Sequence, residues 1–310
     1  MDWDSAEITF FLHAALDEDI GAGDLTARAI VPAGARARAQ ILARSALVVA
    51  GLPLAERVFR ALDAAARMES RIADGEEAGS NSVLAHVECG TRALLTGERT
   101  ALNLLCHLSG VATLTRAFVR AVASTKTKIR DTRKTLPLLR RLEKYAVLMG
   151  GGENHRMGLY DAMLIKENHI AVAGSVREAL RRARAFLPSP PGEAEMTAYE
   201  SYAPPRQGGV WDEAVPIQVE VRNEAELREA LEGGADSLLL DNTTPNEAAR
   251  LVGLARGLRP GCVLELSGGV TLANVGAYAA AGADYISVGA LTHSAPAADL
   301  SLLVESAPGA

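Results

Sequence analysis

The stretch Ile217–Gly269, IQVEVRNEAELREALEGGADSLLLDNTTPNEAARLVGLARGLRPGCVLELSGG, decides the fold. Three short apolar runs, IQVEV (Ile217–Val221), SLLLD (Ser237–Asp241) and VLELS (Val263–Ser267), alternate with two polar segments long enough for helices. Each segment carries a helix start. Asn223 stands three residues before Glu226, and Thr244-Pro245 precedes Glu247, so a capping side chain leads each helix. Gly233-Gly234 falls where the first helix should stop. Strands and helices in this rhythm form βα units around a parallel sheet.

The same rhythm extends in both directions. KIRDT (Lys128–Thr132), AMLIKE (Ala162–Glu167) and YISVG (Tyr285–Gly289) read as further strands, Ser175 with Glu178 as another helix start, and Gly282 as a stop. Six strands are too few for a complete eightfold barrel, so the expected fold is an incomplete, open parallel α/β barrel. A doubly wound open sheet is the structural alternative. In IQVEV, Ile217, Val219 and Val221 share one face, while Gln218 and Glu220 share the other. If the apolar face packs under helices, Glu220 points into the barrel, where an acid needs a metal or a cation.

Before Ser124 the pattern changes. Residues 36–50 and 82–88 read as antiparallel strands, with helices near 53–64 and 97–122. The expected organisation is a sandwich-like N-terminal α/β domain over residues 1–112 and a barrel over 113–294. A tail, 295–310, would pack back on the N-terminal domain. Residues 187–216, rich in Pro, Gly and Glu, read as a surface insertion, with Trp211 pinning its end.

The chain has 310 residues, 48% of them hydrophobic, 23% charged and 4% aromatic, with a formal net charge of -6. An acidic chain poor in aromatics is a poor candidate for nucleic-acid binding. No apolar run approaches the length needed to span a bilayer, and the acidic start does not read as a signal peptide. Cys89, Cys106 and Cys262 lack CxxC spacing and read as thiols of a reducing cytoplasm.

Against that acidity, Arg133, Lys134, His155, Arg156 and Lys166 gather within DTRKT, GGGENHR and LIKENH. Guanidinium, ammonium and imidazole groups gathered at strand ends suit a small ligand with several carboxylates or phosphates. Glu220 and Asp241, on consecutive strands, suit Mg²⁺ shared with phosphate oxygens. Ser267-Gly268-Gly269 and Gly289-Ala290 close the last two strands, and small residues there let backbone N–H groups approach a phosphate. Gly150–Gly152 could be an ordinary helix stop, but its place just before Asn154-His155-Arg156 favours a backbone that passes close to substrate. His13, His86 and His107 read as surface or structural histidines, and His169 as shaping the rim. Arg140 and Arg141 fit a solvated helix face.

ERTALNLLCHLSGVAT (98–113), the continuous stretch 131–170, VEV (219–221), LLLDN (238–242), LELSGG (264–269) and ISVGALTHS (286–294) together resemble quinolinate phosphoribosyltransferase. The likeness runs from about Asp19 to Ser294. It departs from the family at the 187–216 insertion, at Gln218 where an acid is common, and at Leu266, where a small residue is usual and a leucine would tighten the phosphate pocket. The resemblance implies transfer of phosphoribosyl from phosphoribosyl pyrophosphate to quinolinate with decarboxylation, giving nicotinate mononucleotide, pyrophosphate and carbon dioxide. It implies that Arg133, His155, Arg156 and Lys166 hold the two carboxylates, with Arg99 supplied by a neighbouring subunit of a homodimer. Lys134 would lie between quinolinate and the pyrophosphate. Glu220 and Asp241 would hold Mg²⁺, directly or through water. Ser267, Gly268, Gly269 and Gly289 would hold the 5′-phosphate, with His293 nearby. Two rivals remain: the paralogue found beside molybdate transporters, and a non-catalytic sensor of a phosphorylated metabolite. The intact RKT, NHR and Arg99 set favours quinolinate over the first, and retention of both Glu220 and Asp241 argues against the second.

Overall fold

The computed structural model describes residues 1–186 and 215–305. Residues 187–214 of the expected insertion, Trp211 among them, and the last five residues of the expected tail lie outside the described residues. By its internal contacts the chain divides into two compact units. The first comprises Met1–Ala121, Ile129–His155 and Gly289–Ala310; the second comprises Val122–Lys128 and Arg156–Val288.

The chain opens with α1 (Ala6–Ile20), α2 (Leu25–Ile30), β1 (Arg36–Ala43), β2 (Leu47–Val48) and α3 (Leu52–Leu62). There follow β3 (Arg67–Ser70), β4 (Glu77–Ala78), β5 (Val83–Gly90) and the long α4 (Thr91–Ala121). Next come β6 (Lys128–Arg130), α5 (Arg140–Met149), β7 (Met163–Ile165), α6 (Glu167–Ala173) and α7 (Val176–Phe186). The central run is β8 (Ile217–Val221), α8 (Glu224–Glu232), β9 (Ser237–Asp241), α9 (Pro245–Leu258) and β10 (Val263–Ser267). The described chain closes with α10 (Val275–Ala279), β11 (Tyr285–Ser287), α11 (Ala290–His293) and β12 (Leu300–Val304).

In the first unit an antiparallel sheet runs in the order β12-β1-β5-β3. β1 is flanked on one side by β5 and on the other by β12, with Ala39 opposite Val304 and Ala43 opposite Leu300. The core helix is α4, whose Leu94, Leu105, Val111 and Ala112 are wholly buried. Its Thr113 and Ser109 hydroxyls accept the N–H groups of Val48 and Ala50 at 2.8 and 3.1 Å, so even its polar positions are used inward. By length and composition α4 could cross a membrane, contrary to the sequence reading. Half of its most apolar window is buried within the protein, which marks a core helix. It begins at Thr91, six residues before the start expected from the sequence.

The parallel sheet has six strands in the order β6-β11-β10-β9-β8-β7. Parallel pairings join β7, β8, β9, β10 and β11 in turn. The N–H of Lys128 donates to the carbonyl of Asp284 at 2.9 Å, just ahead of β11. The sheet order leaves β6 and β7 as its two ends, so the barrel is open. The expected helix starts are present. The side chains of Ser175, Asn223 and Thr244 accept the N–H groups of Glu178, Glu226 and Glu247.

Curvature shows in the polar interior of the second unit. The Gln218 amide donates to Glu265 at 3.0 Å although β9 lies between their strands, and the Ser287 hydroxyl donates to the same carboxylate. Strands two places apart in a flat sheet are nearly 10 Å from each other, so this bond needs a concave face. Glu265 is fully buried. Leu266 therefore points the other way, toward the helices, as alternation along a strand requires. It is fully buried there and does not shape the face that carries Ser267, which corrects the expectation of a tightened phosphate pocket.

Candidate active site

Three residues singled out in the sequence come together in the second unit. Glu220, the last residue but one of β8, lies on the concave face, 9% exposed, and the Lys166 ammonium lies 3.7 Å from its carboxylate. Asp241 ends the next strand and is half-buried, with its Oδ2 accepting from the Asn242 amide at 2.6 Å. Burial, and then the charge of Asp241, push the Glu220 carboxyl above its ordinary range, while Lys166 pulls it back. A carboxyl raised in this way by burial and a neighbouring acid favours an added cation. Among the described residues no group of three or more His, Cys, Asp and Glu could hold a metal. Two acids with the remaining positions left to ligand oxygens and water is the donor set that suits Mg²⁺.

Ser267, Gly268 and Gly269 follow directly. Ser267 stands opposite Asp241 in the register of β10 and β9. Gly268, at φ +98°, lies so close to Asn242 that a Cβ would come within 2.7 Å of the Asn242 backbone nitrogen. Asn274 closes the turn, its amide donating to the carbonyl of Gly269 at 3.0 Å and its oxygen accepting the N–H of Thr271 at 2.7 Å. Arg156, also in this unit, donates to the carbonyl of Ala162 at 2.9 Å. Lys166 leads α6, and its N–H donates to Nδ1 of His169 at 2.9 Å, so His169 orients the turn that carries the lysine.

The first unit brings together Lys134, Gly289 and His293. A Cβ on Gly289 would lie 3.1 Å from both Lys134 Cδ and His293 Nε2, so glycine is what lets both side chains lie against that backbone. The Thr292 hydroxyl donates to the carbonyl of Lys134 at 2.8 Å and fixes the main chain there. Arg133 is half-buried, and its Nε is buried with no hydrogen-bond partner among the described residues. Arg99 stands exposed on α4.

The segment between these motifs is held by groups that the sequence did not announce. Asp131 and Lys144 are both fully buried, with Nζ and Oδ1 2.5 Å apart. Burial pushes the Asp131 carboxyl up, to about 6, against the pull of Lys144. The N–H of His155 donates to Asp131 at 2.7 Å, and Lys144 donates to the carbonyl of His155 at 2.9 Å. Arg116 of α4 donates to the carbonyls of Met149 and Gly150, at 3.1 and 2.9 Å. The glycine run itself packs against α4. A Cβ on Gly150 would come 2.6 Å from the carbonyl of Ala112, and one on Gly152 would come 2.8 Å from Thr115 Cγ2. The room these glycines leave is thus taken by a helix, which corrects the expectation that it admits substrate.

His107 meets a buried acid, Glu143, at 2.8 Å, and is a satisfied structural histidine. A lysine within the helical run LEKYAV gives the one sequence hint of Lys144, since Leu142, Ala146 and Val147 around it are all buried. Nothing in the sequence paired it with Asp131.

Residues 24–109 match a family model described as quinolinate phosphoribosyl transferase, N-terminal domain, and residues 111–204 and 205–303 match that of the C-terminal domain. The chain is 42% identical over 307 residues to the nicotinate-nucleotide pyrophosphorylase (carboxylating) of Mycobacterium leprae, covering 97% of this chain and 98% of that one. It is 40% identical over 285 residues to a probable enzyme of the same name from Bacillus subtilis, covering 92% and 89%. The crystal structure of NadC from Streptococcus pyogenes superposes with a TM-score of 0.85 at 35% identity, covering 99% of this chain and all of that one.

Proposed function

This chain belongs to the quinolinate phosphoribosyltransferase family, and we infer that it transfers the phosphoribosyl group of phosphoribosyl pyrophosphate to quinolinate, in NAD biosynthesis. The products are nicotinate mononucleotide, pyrophosphate and carbon dioxide. One observation carries the reading at the level of this chain: Glu220 and Asp241 lie at the C-terminal ends of neighbouring strands, with Lys166 3.7 Å from Glu220. A protein that only sensed a phosphorylated metabolite would have no need of two acids at a leaving group.

In this reading Arg133, His155, Arg156 and Lys166 receive the two carboxylates of quinolinate, a dianion whose charge calls for clustered donors. Arg99 serves the site of the partner in a homodimer. Lys134 sits against Gly289 and His293, where a 5′-phosphate or a departing pyrophosphate gains most from its charge. Ser267–Gly269 and Gly289 offer backbone N–H groups to the phosphate. Glu220 and Asp241 would hold Mg²⁺, directly or through water, and the ion would neutralise charge building on the pyrophosphate oxygens. The protein's own task is then to orient the ring nitrogen toward the ribose carbon and to keep water from that carbon as it gains positive charge. Ribosylation makes the ring nitrogen cationic, and this charge stabilises the carbanion left beside it when carbon dioxide departs. No further group is needed for that step.

The test is direct. Purified protein mixed with quinolinate, phosphoribosyl pyrophosphate and Mg²⁺ should release nicotinate mononucleotide and carbon dioxide in equal amounts. Nicotinate in place of quinolinate should give no comparable rate, because one carboxylate-binding group of donors is then unused. Absence of nicotinate mononucleotide would overturn the reading.

A further inference from the structure

We propose that the buried pair Asp131–Lys144 is a positioning device that locks the backbone of His155 and so sets the quinolinate end of the site. The inference rests on the role given above to His155. Both charged side chains are fully buried, one in the strand-end segment two residues before Arg133 and the other on α5. The two halves of the pair grip the two main-chain polar groups of one residue. Asp131 accepts the His155 N–H at 2.7 Å, and Lys144 donates to the His155 carbonyl at 2.9 Å. The Asn154 amide, in the orientation that satisfies its neighbours, adds donors to Asp131 Oδ2 at 2.7 Å and to the Lys144 carbonyl at 3.0 Å.

Stability alone is a weak reason to keep such a pair. Desolvating two charges offsets much of their attraction, and apolar replacements of buried pairs are often neutral or stabilising. What an apolar replacement could not supply is a donor and an acceptor aimed at the same residue. The carboxylate that holds His155 also lies two residues from Arg133, so one group couples the RKT segment to the NHR segment. A ligand that takes one carboxylate from each segment would feel any slack in that coupling, since small displacements of positioning groups cost large factors in rate.

The decisive variant is Asp131→Leu with Lys144→Met, which removes both charges and both main-chain partners of His155 together and leaves neither charge buried alone. In steady-state kinetics the double variant should show a quinolinate KM raised at least tenfold, with the phosphoribosyl pyrophosphate KM within twofold of wild type. A purely structural role would lower the active fraction and leave both KM values unchanged, and that result would overturn the proposal. A wild-type protein inactive on quinolinate would instead overturn the functional reading. A second measurement needs neither activity nor the variant. In wild-type protein the His155 amide proton should be protected from hydrogen exchange, as a donor to a buried carboxylate must be. Rapid exchange there would overturn the proposal whatever the kinetics, and this measurement decides the matter alone if the double variant does not fold.

Discussion

The Lys166 ammonium stands 3.7 Å from the Glu220 carboxylate, with the lysine half exposed and the glutamate almost wholly covered. The separation is long for a charge-assisted hydrogen bond. Glu220 thus holds the lysine in place loosely enough for it to turn to another carboxylate.

Lys166→Met should raise the quinolinate KM roughly 10- to 100-fold, the equivalent of one charge-assisted bond of about 1.5–3 kcal/mol. Its effect on stability should stay below about 1 kcal/mol, because the lysine end of the pair is in water. Kinetics together with thermal unfolding check both halves, and an unchanged KM would remove Lys166 from the binding set.

Chelation with EDTA should abolish turnover, and Mg²⁺ should restore it. Asp241→Asn should lower kcat at least 100-fold while changing quinolinate binding less. The acid limb has a definite sign. The Glu220 carboxyl is raised above its ordinary value of 4.5, by burial first and by Asp241 next. Between the two values the folded state keeps a proton that the unfolded state has released. The stabilising contribution of this group is therefore full below the unfolded value and is lost as pH rises through the folded one. The same proton competes with a divalent ion, so Mn²⁺ affinity, followed by calorimetry, should fall as pH drops toward 5. In Asp241→Asn the Glu220 carboxyl should titrate lower than in wild type, which carbon-detected magnetic resonance can read.

Gly150→Ala should destabilise the protein by about 1–3 kcal/mol, the usual cost of forcing a methyl group into a filled space. The new Cβ would meet Thr115 Cβ at 2.5 Å and the carbonyl of Ala112 at 2.6 Å. Backbone conformation is not the obstacle, since φ at this residue is -69°. A denaturant midpoint unchanged from wild type would show that α4 and the glycine turn yield easily.

Arg99→Ala and Lys134→Ala should each be inactive alone. Mixed, dissociated and reassembled, they should regain activity, because one of the two sites in a mixed dimer then has both residues intact. No recovery in mixtures shown to contain mixed dimers would mean that each chain builds its own site.

Much of the fold was legible because local signals agreed. IQVEV, SLLLD and VLELS form strands to the residue, since apolar runs, a side-chain cap and a glycine stop all give the same boundaries. The tail was expected to pack back on the N-terminal domain, and it does, but its docking as a strand, β12, was not legible. LSLLV reads like any short apolar run, and its partner β1 lies at the other end of the sequence, where periodicity cannot point. The bridge between Arg130 and Glu153 escaped for a related reason, as a single residue makes no pattern. Within the candidate site, the clustered cations stood out because they interrupt an acidic chain. Lys144 did not, because a lysine in a helix ordinarily means a wet face, and only Asp131 across the turn changes that meaning. The glycines before Asn154 do stop a helix, as one reading had it, and what fills the space beside them is α4, which the sequence could not point to.

The place of β12 beside β1 bears on how the protein is made. On the ribosome β1, β5 and α4 emerge early, yet one edge of β1 stays open until almost all of the described chain has been translated. An unpaired apolar strand edge invites pairing with other chains. A fragment ending near residue 121 would leave that edge open indefinitely, and nascent chains of this protein should depend on chaperone cover until β12 docks.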